Sequence, residues 1–437
     1  MSKNTRVVIT GLGVCSPIGT GLKAFKAGLK KGISGIRYHE ILEQQNYRCH
    51  IGGLPLLEQK QIDAFTKQYG LVKMKGTGII YGCMAGLEAW YDAGLELLPS
   101  KSSQAAWDYG CIFGTCTNGI DAIDYGISLV DTGNVRKMGG RTAQQAMNSG
   151  VSAYLGGIIG IGNQLTTNSS SCITGVEAAL EGFNRIREGK SSIVLVGSAE
   201  SSHHNVWGGY DGMTLYDDFY ALAKGYNDRP EKGSCPMSTG ANGLVPGSGG
   251  GAMVLESLQS AQKRGARIYG ELLGGSLICG AQRAGGTMTI NNRQSMEDVI
   301  GFALEAAKIR PDEIDLVCGH LPSYIMDVYE VQALAGALKR KGNDFPYINA
   351  LKSMTGHCFA ASSSLELVAT ALQLQDQFIH PTLNAEQLDQ EIAAIVPRSK
   401  VPLKSIKKRL NIVAKTSYGF GDVAGCVMVR HWPEGVK

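Results

Sequence analysis

The 437-residue sequence predicts a duplicated, mostly parallel α/β fold. Three observations carry that expectation. Apolar strand-like runs recur in both halves, each ending in small or reactive residues before a helical pattern, where open α/β sheets place their sites. One run, Ile193-Val194-Leu195-Val196, is apolar without alternation, the mark of a strand covered on both faces. The 58 glycines, about double ordinary usage, are scattered among apolar residues and so read as tight turns and close backbone contacts.

The chain opens on a strand, Val7 to Thr10, followed by Gly11-Leu12-Gly13-Val14-Cys15-Ser16-Pro17. A dinucleotide fingerprint would need glycine where Ser16 stands, so these glycines are read as a structural turn. Residues 64–98 are helical in pattern, and Tyr109 to Gly114 is a strand ending in Thr115-Cys116-Thr117-Asn118-Gly119. After a short extended segment, Ile161 to Thr167, residues Val176, Ala179, Leu180, Phe183 and Ile186 recur at helical spacing. From Ser201 to Gly251 periodicity fades into long irregular structure before a further strand, Gly251 to Glu256. The second half repeats the style. Strand Ile314 to Cys318 ends at Gly319-His320, strand Tyr347 to Ala350 ends at Lys352-Ser353-Met354-Thr355-Gly356-His357, and strand Leu410 to Val413 leads into Ser417-Tyr418-Gly419-Phe420-Gly421-Asp422. The division is placed between an N-terminal half, residues 1–257, and a C-terminal half, residues 258–437.

With 43% apolar and 18% charged residues the chain can bury a large core and is not disordered. A net charge of +4 without a basic run argues against nucleic acid and leaves room for a local basic patch facing an acidic partner. The 11 cysteines show no CxxC and no metal-ligand spacing, so they read as reduced thiols. No run approaches a membrane span and the start is a poor signal peptide, so a cytoplasmic protein without membrane contact is expected.

Cys172 sits where an extended segment turns into a buried helix, in Ser169-Ser170-Ser171-Cys172-Ile173-Thr174-Gly175. A thiol at a helix N-terminus is expected to favour thiolate, and the same N–H groups can receive an oxyanion. One cysteine and two histidines, His320 and His357, each at the end of a predicted strand, are what thioester condensation would need. The cysteine holds an acyl group, and two neutral imidazoles donate hydrogen bonds to an enolate oxygen.

Taken in order, Ser171-Cys172-Ile173-Thr174-Gly175, His320, the Lys352 to His357 block and Gly419-Phe420-Gly421 resemble the β-ketoacyl-[acyl-carrier-protein] synthase family, of the type II elongating class. The similarity runs from Val7 to Val429. It implies a thiolase fold, two βαβαβαββ halves in a five-layer αβαβα arrangement. It also implies decarboxylative condensation of an acyl chain held on Cys172 with malonyl on an acyl carrier protein, in fatty acid or polyketide and polyene elongation. His320 and His357 would drive decarboxylation, Lys352 would support them electrostatically, and Glu366 and Asp327 would be the acids behind them. The N–H groups of Cys172 and Phe420 would form the oxyanion hole, with the Phe420 ring as gate. No permanent cofactor or metal is implied, since substrates arrive on phosphopantetheine. The partners implied are the acyl carrier protein and a second subunit, a homodimer or a heterodimer with a paralogue.

The departures from that pattern are specific. The family usually follows its first histidine with Gly-Thr and a second threonine that bond the pantetheine arm; here the run is His320-Leu321-Pro322-Ser323-Tyr324, which leaves Ser323 or Tyr324 to remake those contacts. Thr117 stands where a large aliphatic residue often limits the acyl tunnel, and Gln144 and Gln145 lie near the stretch expected to line it. The alternative is a chain-length-factor-like partner subunit, which typically lacks the cysteine. A thiolase would place a second reactive cysteine where this chain has Tyr418-Gly419-Phe420-Gly421-Asp422.

Overall fold

Gly11 and Gly13 lie inside a ten-residue strand, Val7–Ser16, rather than in a turn, and every residue of that strand is buried. A Cβ on Gly11 would stand 2.1 Å from the Ala89 carbonyl oxygen, and one on Gly13 2.0 Å from that of Ala85. The glycines are therefore required by a helix pressed onto the strand's backbone. The computed structural model describes residues 5–216 and 219–433. In chain order, the elements that position the site are β1 (Val7–Ser16), α1 (Thr77–Asp92), β2 (Tyr109–Gly114), α2 (Ile120–Asp131), α3 (Gly150–Ile159), α4 (Thr174–Arg187), β3 (Ile193–Glu200), α5 (His204–Asp211), β4 (Gly249–Ser257), β5 (Gly270–Cys279), α6 (Arg293–Ala307), β6 (Ile314–Cys318), α7 (Met326–Leu338), β7 (Tyr347–Asn349), α8 (Ala360–Asp376), β8 (Ile412–Gly419) and β9 (Val423–His431). The helical pattern over 64–98 resolves into Gln59–Gln68 and α1, broken at Gly70, whose φ of 70° lies in the left-handed region.

The strands form one sheet in the order β7-β6-β8-β9-β5-β1-β4-β3-β2, with the short strand Leu165–Thr166 beyond β2. Numbered within its own half, each set reads 3-2-4-5-1 from its outer edge inward. The duplication expected from sequence is thus written in the topology, and the two copies meet where β1 pairs with β5. The direction of the strands differs from the expectation. The sheet is mixed: pairs near the two outer edges, such as β2 with β3 and β6 with β8, are parallel, and those between them are antiparallel. β8 and β9 are joined by Phe420-Gly421-Asp422 alone, a link that only an antiparallel hairpin can use.

α1 and α3 cover the N-terminal strands, α6 backed by α7 covers the C-terminal strands, and α4 and α8 lie between, touching strands of both halves. That gives five layers. Ala360 through Leu374 of α8 are all buried, as a helix sandwiched between the two halves of the sheet requires. Its serines are satisfied inside: Ser363 accepts the Gly175 N–H at 2.9 Å, and Ser364 meets the Ser198 hydroxyl at 2.6 Å. These bonds lock α8 against α4 and β3 directly beneath Cys172. Among the described residues no helix is long and apolar enough to cross a membrane.

Candidate active site

The duplication places Cys172 and His357 at equivalent points, each after the third strand of its half. Cys172 occupies a 3-10 turn, Ser171–Ile173, that runs directly into α4. Ser171 has a φ of 54°, the left-handed region that a non-glycine residue adopts only when its surroundings hold it there. Its hydroxyl lies 3.6 Å from the Cys172 sulfur and accepts the Phe420 N–H at 3.2 Å. A Cβ on Gly419 would stand 3.1 Å from the Cys172 nitrogen, so that glycine keeps the approach to this N–H open. Burial pushes the Cys172 thiol up to about 11, outweighing the downward pull of the Ser171 hydroxyl and the Lys352 ammonium. Desolvation of the sulfur thus works against the thiolate that a helix N-terminus is expected to favour.

The sulfur and the nearest ring nitrogens of His320 and His357 all lie within 4.8 Å of one another, and all three residues are buried. The two rings are edge to face, with centroids 5.4 Å apart. The Nδ1 atom of His357 accepts the Phe359 N–H at 3.0 Å, and that of His320 faces the Lys352 ammonium at 3.3 Å. Donors therefore occupy both Nδ1 positions, which puts the proton of each neutral ring on Nε2. A metal at Nε2 would require the opposite tautomer and an N–H facing an N–H on each ring. The triad is thus built as one nucleophile and two hydrogen-bond donors. Burial, followed by the Lys352 charge, holds both imidazoles well below their ordinary range, so they are neutral.

Behind the rings, Lys352 donates to the His320 carbonyl at 2.7 Å and to Glu366 at 2.5 Å. The other Glu366 oxygen pairs with Lys415 at 2.9 Å. Glu330 accepts the N–H groups of His320 at 2.9 Å and Leu321 at 2.8 Å, and the Thr416 hydroxyl at 2.5 Å. The triad opens into a narrow cavity walled by Tyr210, Tyr324 and Phe420, in which the Phe420 ring packs 5.8 Å from that of Tyr210.

Residues 4–261 match the family model for the β-ketoacyl synthase N-terminal domain, and residues 269–386 the model for the C-terminal domain. The chain belongs to the β-ketoacyl synthase family. It is similar to 3-oxoacyl-[acyl-carrier-protein] synthase 2 of Vibrio harveyi, 28% identical with 98% of this chain and 99% of the relative covered. It is also similar to a putative polyketide β-ketoacyl synthase 1 of Streptomyces halstedii, 28% identical with 97% of each covered. A solved structure described as a type II polyketide synthase acyl-carrier protein in complex with its ketosynthase bound to the hexaketide superimposes with a TM-score of 0.84 at 25% identity, over 98% of this chain and 100% of that one. The five layers described above are the thiolase fold.

For this β-ketoacyl synthase, several polar residues expected at the substrate make hydrogen bonds within the protein. Gln145 is buried, but its amide oxygen accepts the N–H groups of Lys75 at 2.6 Å and Gly76 at 3.1 Å, and its nitrogen donates to Arg141. It caps the approach to α1 and does not wall the cavity. Gln144 is exposed on the surface and accepts the Tyr154 hydroxyl at 3.0 Å. Thr117 gives both its N–H, at 2.9 Å, and its hydroxyl, at 2.5 Å, to Glu200, a carboxyl that burial pushes up. Ser323 is fully buried: its oxygen accepts the Cys235 N–H at 3.0 Å and its N–H goes to Asp327 at 3.1 Å, so this hydroxyl does not face the cavity. Of the pair expected to meet pantetheine, Tyr324 is the one at the cavity wall. Asp327 makes no bond to Lys352; it also accepts the Met237 N–H at 2.7 Å, and burial pushes its carboxyl to about 7. Lys415 and Ser171 were missed as participants. The signal for Lys415 was a lone charge after the apolar run Ile412-Val413-Ala414, in a strand otherwise fit only for the core.

Proposed function

We propose that this β-ketoacyl synthase is a 3-oxoacyl-[acyl-carrier-protein] synthase that joins a Cys172-bound acyl chain to malonyl-acyl carrier protein. The single observation that carries the reading is the pair of buried histidine rings whose nitrogens lie within 4.8 Å of the Cys172 sulfur, each with its Nδ1 facing a donor. A chain-length factor has no use for such a triad.

In the first step the Cys172 sulfur attacks the incoming thioester carbonyl. The carbonyl oxygen becomes an oxyanion beneath the N–H groups of Cys172 and Phe420, and the pantetheine sulfur leaves with the proton. In the second step the malonyl C–C bond breaks, carbon dioxide departs, and the electron pair it leaves forms an enolate whose oxygen accepts from His320 and His357. In the third step the enolate carbon attacks the Cys172 thioester, a C–C bond forms, and the C–S bond breaks to return the cysteine. Lys352 keeps the His320 ring aimed, and Tyr324 at the cavity wall meets the pantetheine arm.

The acyl carrier protein docks against the cleft lined by Lys73, Lys75, Lys137 and Arg141, which carries no acidic side chain on its walls. The working unit is a homodimer; a heterodimer with a paralogue is the outcome that sedimentation of the purified chain would distinguish. The test of the function is intact-mass analysis after incubation with acyl-acyl carrier protein, then malonyl-acyl carrier protein. One acyl mass should appear per chain, vanish in Cys172→Ala, and be discharged as a 3-oxoacyl product. Acylation without discharge by malonyl-acyl carrier protein would overturn it.

A further inference from the structure

Lys415 lies in β8, where every residue from Ile412 to Gly419 is buried, and is itself 0% exposed. A covered strand accommodates an ammonium group only where it is well paired, because the charge has lost its water. Its Nζ sits 2.9 Å from Glu366 and 3.0 Å from the Ser417 hydroxyl, and donates to the Thr416 carbonyl. Glu366 already holds Lys352 at 2.5 Å on its other oxygen. Two buried ammonium groups therefore bracket one carboxylate directly behind the imidazoles. The acyl-transfer and condensation steps above need only Lys352.

The other titratable groups around Lys415 come from every element packed against it. Glu330 on α7 is engaged by the His320 and Leu321 N–H groups and by Thr416. Cys318 on β6 and Cys426 on β9 are thiols that burial pushes up and the Lys415 charge pulls down. His320 and His357 feel the same charge after burial and Lys352, and it acts to keep them neutral.

We propose that Lys415 is a positioning residue for the decarboxylation step: it clamps Glu366 from the side opposite Lys352 and sets a positive potential behind the two imidazoles, where the enolate charge develops. The inference rests on the condensation reading above. Its consequence is selective. Acyl transfer to Cys172 needs neither histidine and is spared, while malonyl decarboxylation is slowed.

Lys415→Met, Lys415→Gln and Lys415→Arg separate charge from packing. In Lys415→Met the kcat of malonyl-acyl carrier protein decarboxylation should fall about tenfold or more, the scale of one charge acting across a buried site at an effective dielectric of about 20. KM should be unchanged, and the acid limb of the profile should move to higher pH. The His320 and His357 resonances, followed by NMR in histidine-labelled protein, should also titrate at higher pH. Lys415→Arg should restore both readouts. Should Lys415→Met fail to fold, Lys415→Gln, neutral but still able to donate hydrogen bonds, carries the same two readouts. Wild-type kcat with unmoved histidine titrations in either neutral variant would overturn the proposal. If the wild-type protein itself neither takes an acyl group nor decarboxylates malonyl-acyl carrier protein, the proposed function fails, and the histidine titrations still decide the role of Lys415.

Discussion

The backbone N–H of Phe420 donates to the Ser171 hydroxyl across 3.2 Å, and that same oxygen stands 3.6 Å from the Cys172 sulfur. One side chain thus bridges the nucleophile and an oxyanion donor in the resting site. A carbonyl oxygen that takes the Phe420 N–H competes for it with the Ser171 oxygen, while the serine O–H stays available to donate to the sulfur. Replacing Ser171 by alanine removes a donor to the sulfur anion, a bond to a charged group worth about 1.5–3 kcal/mol. Alkylation of Cys172 by iodoacetamide at pH 8 should slow about tenfold or more in Ser171→Ala. An unchanged rate would show that the hydroxyl does not stabilise the thiolate.

The pH dependence of that alkylation follows from the direction of the thiol shift. Only the thiolate reacts, and burial has raised the thiol to about 11. Below that value the thiolate fraction grows about tenfold per pH unit, so the logarithm of the rate should climb with unit slope from pH 7 to about pH 10. A plateau near neutrality would mean that the helix terminus outweighs desolvation after all.

The histidines separate from the cysteine. His320→Ala and His357→Ala should still accept an acyl group on Cys172, because neither imidazole is needed to hold the thioester. Condensation should drop at least about a hundredfold in each, the usual scale for losing one oxyanion donor. Normal condensation in both variants would remove the enolate-stabilising role.

Gln145 is expected to matter for stability and not for substrate. In Gln145→Leu the N–H groups of Lys75 and Gly76 lose their acceptor, at a cost of about 1–3 kcal/mol for the buried one. Thermal denaturation should show that loss, while competition between saturated and polyene acyl carrier proteins should match the wild type. A changed chain preference would return Gln145 to the tunnel wall.

Glu330→Gln should disturb His320 through its backbone. The carboxylate accepts from His320, Leu321 and Thr416, and an amide offers only one oxygen to those three donors. Malonyl decarboxylation should weaken at least about tenfold, and acylation of Cys172 should survive. Equal loss of both steps would point to general unfolding.

Much of the site was legible in the sequence, for a chemical reason. The reactive residues stand at strand ends before helices, and Cys172, His320, the Lys352 to His357 block and the Gly419-Phe420-Gly421 turn keep a fixed order along the chain. Alternation and apolar runs likewise announced a duplicated, layered α/β molecule. Strand direction was hidden, because a strand buried on both faces has the same composition whether its neighbours run parallel or antiparallel. The partners of buried polar groups were hidden too. Gln145 meets backbone 70 residues away, Ser323 meets Cys235 from 88 away, and Thr117 meets Glu200 from 83 away. No local pattern encodes such bonds; a polar side chain in an apolar stretch tells only that some partner must exist. Which partner it takes is settled when the layers close. That closure gave Gln145, Ser323 and Thr117 internal hydrogen bonds and set Lys415, one charge in a covered strand, against the carboxylate behind the histidines.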